Sequence, residues 1–167
     1  EELDIHSPMA IPIPEKVVLN MGIGEAKNDE KLLEEAKKEL TLIAGQSVNV
    51  RKAKKSESGW AITKGDPIGV AVTLRGQLMW GFLEKLIRVA FPRVRDFQGV
   101  RKESFDGHGN YSVGFQDHTV FPEMNPDEVD RSKGLEVTVV TSTDSDEEGY
   151  ALLKALGFPF QKEADED

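Results

Sequence analysis

Apolar residues along this chain fall into two rhythms, one of period two and one near 3.6, and the switches between them outline its elements. Lys16–Met21 alternates Val17, Leu19 and Met21 against Val18 and Asn20, the pattern of a strand with one polar position on its outer side. Gly22 and Gly24 then turn the chain. Leu32, Leu33, Ala36, Leu40 and Ile43 recur at helical spacing, and Gly45 stands where a helix C-terminal cap belongs. A helix is therefore expected from about Asp29 to Ala44. Ser47–Ala53 reads as a second strand, with Val48 and Val50 on one side and Asn49 and Arg51 on the other. Ile68–Leu74 reads as a third, with Val70, Val72 and Leu74 opposite Ala71, Thr73 and Arg75. Between these two, Lys54–Pro67 has little periodicity and contains Gly59 and Gly65. A loop or hairpin of that length in a compact domain is often functional.

The second half repeats the alternation of element types. A helix is expected from about Gln77 to Phe91, its inner face marked by Trp80, Leu83, Ile87 and Phe91, with Pro92 past its end. Residues 93–111 are irregular and rich in Arg, Asp and Gly. Ser112–Gln116 and Leu135–Thr141 are strand candidates around a loop near Pro122–Pro126. Ser145-Asp146-Glu147-Glu148 fits a capping box, with carboxylates at the positive end of the helix dipole. The helix it starts runs to about Leu156, and Gly157-Phe158-Pro159 stops it. Pro8, Pro12 and Pro14 keep residues 1–15 irregular, and 162–167 form an acidic tail.

Strands interleaved with three helices imply an α+β fold: a single domain over 1–167, one sheet, helices on one face and a polar face left open. Asn20, Asn49, Arg51, Thr73 and Arg75 all fall on the outer phase of their strands, so a shared surface of donors and acceptors is expected.

Charge sharpens this reading. Lys and Arg number 21 against 30 Asp and Glu, a net charge of −9. Residues 51–103, however, hold 12 Lys/Arg and 5 Asp/Glu, a net of +7, and the remainder is net −16. Screening limits each patch's reach to about 10 Å at moderate salt, so a positive region persists on an acidic molecule. The chain has no cysteine, which excludes disulfides and thiolate metal sites. No run approaches a membrane span, and no basic segment precedes an apolar run, so neither membrane insertion nor a secretory signal is expected. The first residue is Glu1 rather than Met, which reads as a processed, trimmed or engineered start.

Few motifs suggest catalysis. Gly22-x-Gly24 lacks the third glycine of a dinucleotide fingerprint and the Gly-Lys-Ser/Thr of a phosphate loop, so it reads as a turn. His6, His108 and His118 do not have metal-ligand spacing and read as surface histidines. Ser56 and Ser58 beside Gly59 do not form a nucleophile elbow. Trp60, in a polar loop, either stacks on a base or partner or folds back on its own core.

The ordered blocks Val18-Leu19-Asn20-Met21-Gly22-Ile23-Gly24-Glu25-Ala26, Leu42-Ile43-Ala44-Gly45-Gln46 and Ala53-Lys54-Lys55-Ser56 open a longer series. Pro67-Ile68-Gly69, Val72-Thr73-Leu74-Arg75-Gly76 and Pro92-Arg93-Val94-Arg95-Asp96-Phe97 continue it. Ser104-Phe105-Asp106-Gly107, Gly109-Asn110-Tyr111, Phe121-Pro122-Glu123, Ser145-Asp146-Glu147-Glu148-Gly149 and Gly157-Phe158-Pro159-Phe160 complete it. In this order they resemble the bacterial ribosomal protein L5 family from about residue 10 to 162. The resemblance implies a mostly antiparallel, concave sheet docking on 5S ribosomal RNA in the large subunit. Asn20, Gln46 and Thr73 occupy its polar RNA-contacting positions, and Arg51, Lys52, Lys54, Lys55 and Arg75 are expected to meet phosphate. The loop with Ser56, Trp60 and Lys64 is expected to approach the peptidyl-site transfer RNA. Arg101–Gln116 is expected to face a small-subunit head protein. The resemblance implies no catalysis, cofactor or metal, a monomer when isolated, and residence in the cytoplasmic ribosome of a bacterium or in an organelle's.

The chain also departs from the family. A basic N-terminal helix is absent from this sequence, the loop reads Ser56-Glu57-Ser58-Gly59-Trp60-Ala61-Ile62-Thr63, and Asp106-Gly107-His108-Gly109 replaces an arginine-bearing motif. Gln116-Asp117-His118 and Asp66 are further departures. These changes, with the acidic balance, open a second reading: an engineered protein on this scaffold, its RNA binding discarded and a Ser/His hydrolase-like site, binding site or epitope planted on it.

Overall fold

A computed structural model describes Leu3 and residues 5–162. Glu1, Glu2, Asp4 and most of the acidic tail, 163–167, lie outside the described residues. Five strands, β1 (Pro14–Gly22), β2 (Asn49–Lys52), β3 (Pro67–Leu74), β4 (Tyr111–Phe115) and β5 (Leu135–Thr141), form one open antiparallel sheet in the order β2-β3-β1-β5-β4. The main helices are α1 (Glu30–Ala44), α2 (Gly76–Lys85) and α4 (Asp146–Leu156); α3 (Phe91–Arg93) is a single turn. The fold class is α+β, as the alternation of periods implies.

The chain divides into two compact units. One comprises residues 18–74 and 114–137. Here Leu19 and Met21 of β1 and Val70, Val72 and Leu74 of β3 are buried, as are Leu32, Ala36, Leu40 and Ile43 of α1. The alternation predicted for β1 holds: Leu19 and Met21 are buried while Asn20 between them is exposed. α1 begins at Asp29, whose carboxylate accepts from the Lys31 and Leu32 amides, and ends at Gly45 in the left-handed region. β3 is less alternating than its sequence suggests, since Ala71, on the nominally outer phase, is only 3% exposed. Its methyl group is short, and Ala71 pairs with Asn49 of the neighbouring β2, so longer side chains stand above it.

The other unit comprises, among the described residues, Leu3, 5–17, 75–113 and 138–162. Its α2 continues through a π-helical segment, Leu86–Ala90, into α3, which contains Pro92. The predicted helix therefore extends past the proline rather than stopping at it. Pro92 has no N–H to give to the carbonyl one turn back, and its ring crowds that carbonyl; the wider π turn relieves both. The inner face also differs from expectation. Met79, Phe82, Leu83, Leu86, Ala90 and Phe91 are buried, whereas Trp80 is 47% exposed and Ile87 half-buried. The buried stripe runs from Met79 to Phe82 and Leu83, one residue off the Trp80 phase. Phe91 stacks on Phe97 and meets Phe158 edge-on, each at 5.6 Å between ring centres. α4 follows the capping expectation: the Ser145 hydroxyl accepts from the Glu148 amide, and Gly157 closes the helix in the left-handed region.

Candidate nucleic-acid interface

All but one of the residues expected to meet RNA lie in the unit built from 18–74 and 114–137. Asn20 projects from β1 between two buried neighbours, because period-two geometry sends alternate side chains to opposite faces. Gln46 lies just after the α1 cap, and its Nε2 donates to the Thr73 carbonyl at 3.2 Å. That bond fixes the amide, leaving its carbonyl oxygen as an acceptor. Thr73 is half-buried on β3. The structure thus brings Gln46 and Thr73 together across 27 residues of sequence.

The cations follow from β2, an edge strand. Its pairing with β3 is antiparallel, Asn49 against Ala71 and Arg51 against Gly69, and it slips between Arg51 and Lys52. Such a slip increases local twist and re-aims side chains. Arg51, Lys52, Lys54, Lys55 and Lys64 are all exposed. Among the described residues, none of the five is paired with a carboxylate. Their charge remains available to an external anion.

The loop after β2 is ordered by its own hydrogen bonds. The Ala53 amide donates to the Asp66 carbonyl and the Gly65 amide to the Ala53 carbonyl, each at 2.9 Å. Glu57 and Ile62 form an isolated antiparallel bridge. The Ser56 hydroxyl oxygen accepts from the Lys64 amide at 3.0 Å, and the Asp66 carboxylate accepts from the Thr63 amide at 2.8 Å. At the tip, Ala61 takes a left-handed conformation and its carbonyl accepts from Lys27 Nζ. Trp60, beside it, is 79% exposed and does not fold back on its own core. Ser56 is a bracing residue of the loop as well as a candidate contact. Arg75 belongs to the other unit, where it is the exposed residue preceding α2.

One buried polar cluster in the unit containing α1 is invisible to sequence patterning. His118, expected at the surface, is fully buried. Its Nδ1 accepts from the Lys133 amide at 3.1 Å, and its Nε2 stands 3.2 Å from the Glu39 carboxylate, within bonding distance but poorly aligned. Lys133 Nζ donates to both Glu39 oxygens, at 2.9 and 3.1 Å. Burial alone would raise the Glu39 pKa, but the close approach of His118 Nε2 and the hydrogen bonds and positive charge of Lys133 outweigh it and hold the carboxyl below its ordinary value. The only local signal is that His118 stands three residues from each of Phe115 and Phe121, both buried, whose rings meet edge-on at 5.6 Å. Neither ring nitrogen faces a serine. Among the described residues, no group of three or more His, Asp or Glu side chains could hold a metal ion. No helix among them is long and apolar enough to cross a membrane.

An α+β sheet whose edge strand and following loop expose Arg51, Lys52, Lys54, Lys55 and Lys64 offers a basic surface to a polyanion. Residues 7–62 match the family described as ribosomal protein L5, and residues 67–160 match the model of the same ribosomal family's C-terminus. The chain belongs to the ribosomal protein L5 family. It is a structural protein of the large ribosomal subunit.

Proposed function

We propose that the unit carrying β2, β3 and α1 binds 5S ribosomal RNA. The observation that carries this reading is the set of five exposed cations, free of carboxylate partners among the described residues, in the same unit as a pre-formed Gln46–Thr73 polar pair. Arg51, Lys52, Lys54 and Lys55 neutralise phosphates, which supplies affinity without sequence information. Asn20, Gln46 and Thr73 read a particular RNA shape through hydrogen bonds, and Arg75 adds a phosphate contact. The ordered loop presents Trp60, with Ser56 and Lys64, toward the peptidyl-site transfer RNA, where an indole face stacks on an exposed base. Arg101–Gln116 meets a small-subunit head protein across the subunit boundary. In isolation the chain is monomeric.

Photo-crosslinking of the full chain to 5S RNA, followed by mass spectrometry, tests the placement. Crosslinks are expected on peptides containing Asn20 and Arg51–Lys55. Crosslinks confined to α1 would overturn it.

A further inference from the structure

His118 and Lys133 close the neck of the excursion between β4 and β5 by two hydrogen bonds. The His118 amide donates to the Lys133 carbonyl at 3.1 Å, and the Lys133 amide donates to the His118 ring at Nδ1, also at 3.1 Å. The second bond dictates the protonation of the ring. A nitrogen that accepts an N–H carries no proton of its own, so the imidazole hydrogen sits on Nε2, toward Glu39. A second proton has one place to go, Nδ1, and there it meets the Lys133 N–H head-on. Two donors cannot share that space, so the doubly protonated ring and the closed neck exclude each other.

We propose that this pairing is a proton-operated latch: the 118–133 neck is closed while His118 is neutral and opens when its ring takes a second proton. Every charged group facing the ring takes part. Glu39, from α1, attracts the imidazolium; the Lys133 ammonium, across the neck, repels it. The Asp117 carboxylate lies 4.0 Å from Nδ1 and is the acceptor that a protonated Nδ1 would reach after the Lys133 amide moves away. Arg131 forms an ion pair with Glu25 at 3.1 Å, and its carbonyl accepts from Lys133 Nζ at 3.4 Å, so the far side of the neck is tethered on its own account. Opening is therefore local. Neither β1 nor β3 supplies an atom to this pair of bonds. The latch is independent of the RNA-binding reading and needs no ligand.

The test uses the full chain and two NMR observables across falling pH: the ring nitrogen shifts of His118 and amide exchange at Lys133, referenced to Val72 in buried β3. Once protonation is linked to opening, Lys133 protection relative to Val72 should fall about tenfold per pH unit. His118→Gln keeps a donor and an acceptor but cannot titrate, so its Lys133 protection should follow Val72 throughout. The proposal is overturned if the ring takes its second proton while Lys133 stays protected. It is equally overturned if the ring stays neutral until Val72 also exchanges, or if His118→Gln opens with the same pH dependence. Should His118→Gln fail to fold, the wild-type comparison of Lys133 with Val72 decides alone.

Discussion

The side-chain amide of Gln46 donates to the backbone carbonyl of Thr73, tying the residue after the α1 cap to the end of β3. Each residue is a candidate RNA-contacting position on its own, and the bond makes them one feature. Gln46 is exposed, so Gln46→Ala should lower stability by no more than about 1 kcal/mol in urea unfolding. Its 5S RNA affinity should fall about tenfold, the worth of one polar hydrogen bond. Thr73→Trp should weaken binding at every salt concentration. An equal drop in affinity for any RNA would show that neither residue discriminates.

Lys54 and Lys55 should behave differently from that pair. Each phosphate contact releases condensed counterions, so Lys54→Ala with Lys55→Ala should flatten the plot of log affinity against log salt by roughly one unit for each phosphate no longer neutralised. The Gln46 and Thr73 variants should leave that slope unchanged. Titrations at three salt concentrations distinguish the two classes of residue.

Asp146 holds a turn in the unit that contains α4. Its carboxylate accepts from the Gly107 and Gly109 amides at 3.1 and 2.8 Å. Gly109 sits at φ +75°, and a Cβ there would stand 2.5 Å from the Thr143 carbonyl oxygen, so only glycine fits. Asp146→Ala removes two hydrogen bonds to a charged acceptor and should cost about 2–3 kcal/mol in urea unfolding. A loss under a few tenths would show that water replaces the carboxylate.

Glu39 sets an acid limit. Its native pKa is lowered from the ordinary 4.5, so the folded state binds the carboxylate's proton less readily than the unfolded chain does. The stability it contributes is complete above the unfolded value and is lost as pH falls through the lower native value. Glu39→Gln leaves the Lys133 ammonium buried without its partner, so wild type should melt well above the variant at about pH 6. That advantage should shrink below about pH 4.5 as the carboxylate is neutralised. A difference independent of pH would contradict the ion-pair account.

How much of this is legible in the sequence depends on the range of the cause. β1, α1 and α4 follow from local rules: Leu19 and Met21 against Asn20, Asp29 and Gly45 as caps, Ser145 and Gly157 likewise. The end of the α2 helix misleads because Pro92 suggests a stop, whereas the π turn at Leu86–Ala90 lets the helix run on. His118 misleads because its partners, Glu39 and Lys133, lie 79 residues before it and 15 after it in sequence. A histidine's burial is decided by whether such partners arrive, and periodicity carries no information on that. Among the candidate site residues, the exposure of Asn20 is legible. The Gln46–Thr73 bond and the bracing role of Ser56 are not, since each rests on a backbone group supplied by the folded chain.

The most direct measurement is a competition gel shift at moderate salt, with labelled 5S RNA bound by the wild-type chain and displaced by either unlabelled 5S RNA or an unrelated folded RNA of equal length. The phosphate contacts are common to both competitors, so any preference comes from Asn20, Gln46 and Thr73. The account predicts displacement by 5S RNA at a concentration at least about tenfold lower, one polar hydrogen bond's worth of discrimination. Equal displacement by the two RNAs, or no 5S complex even at low salt, would contradict it.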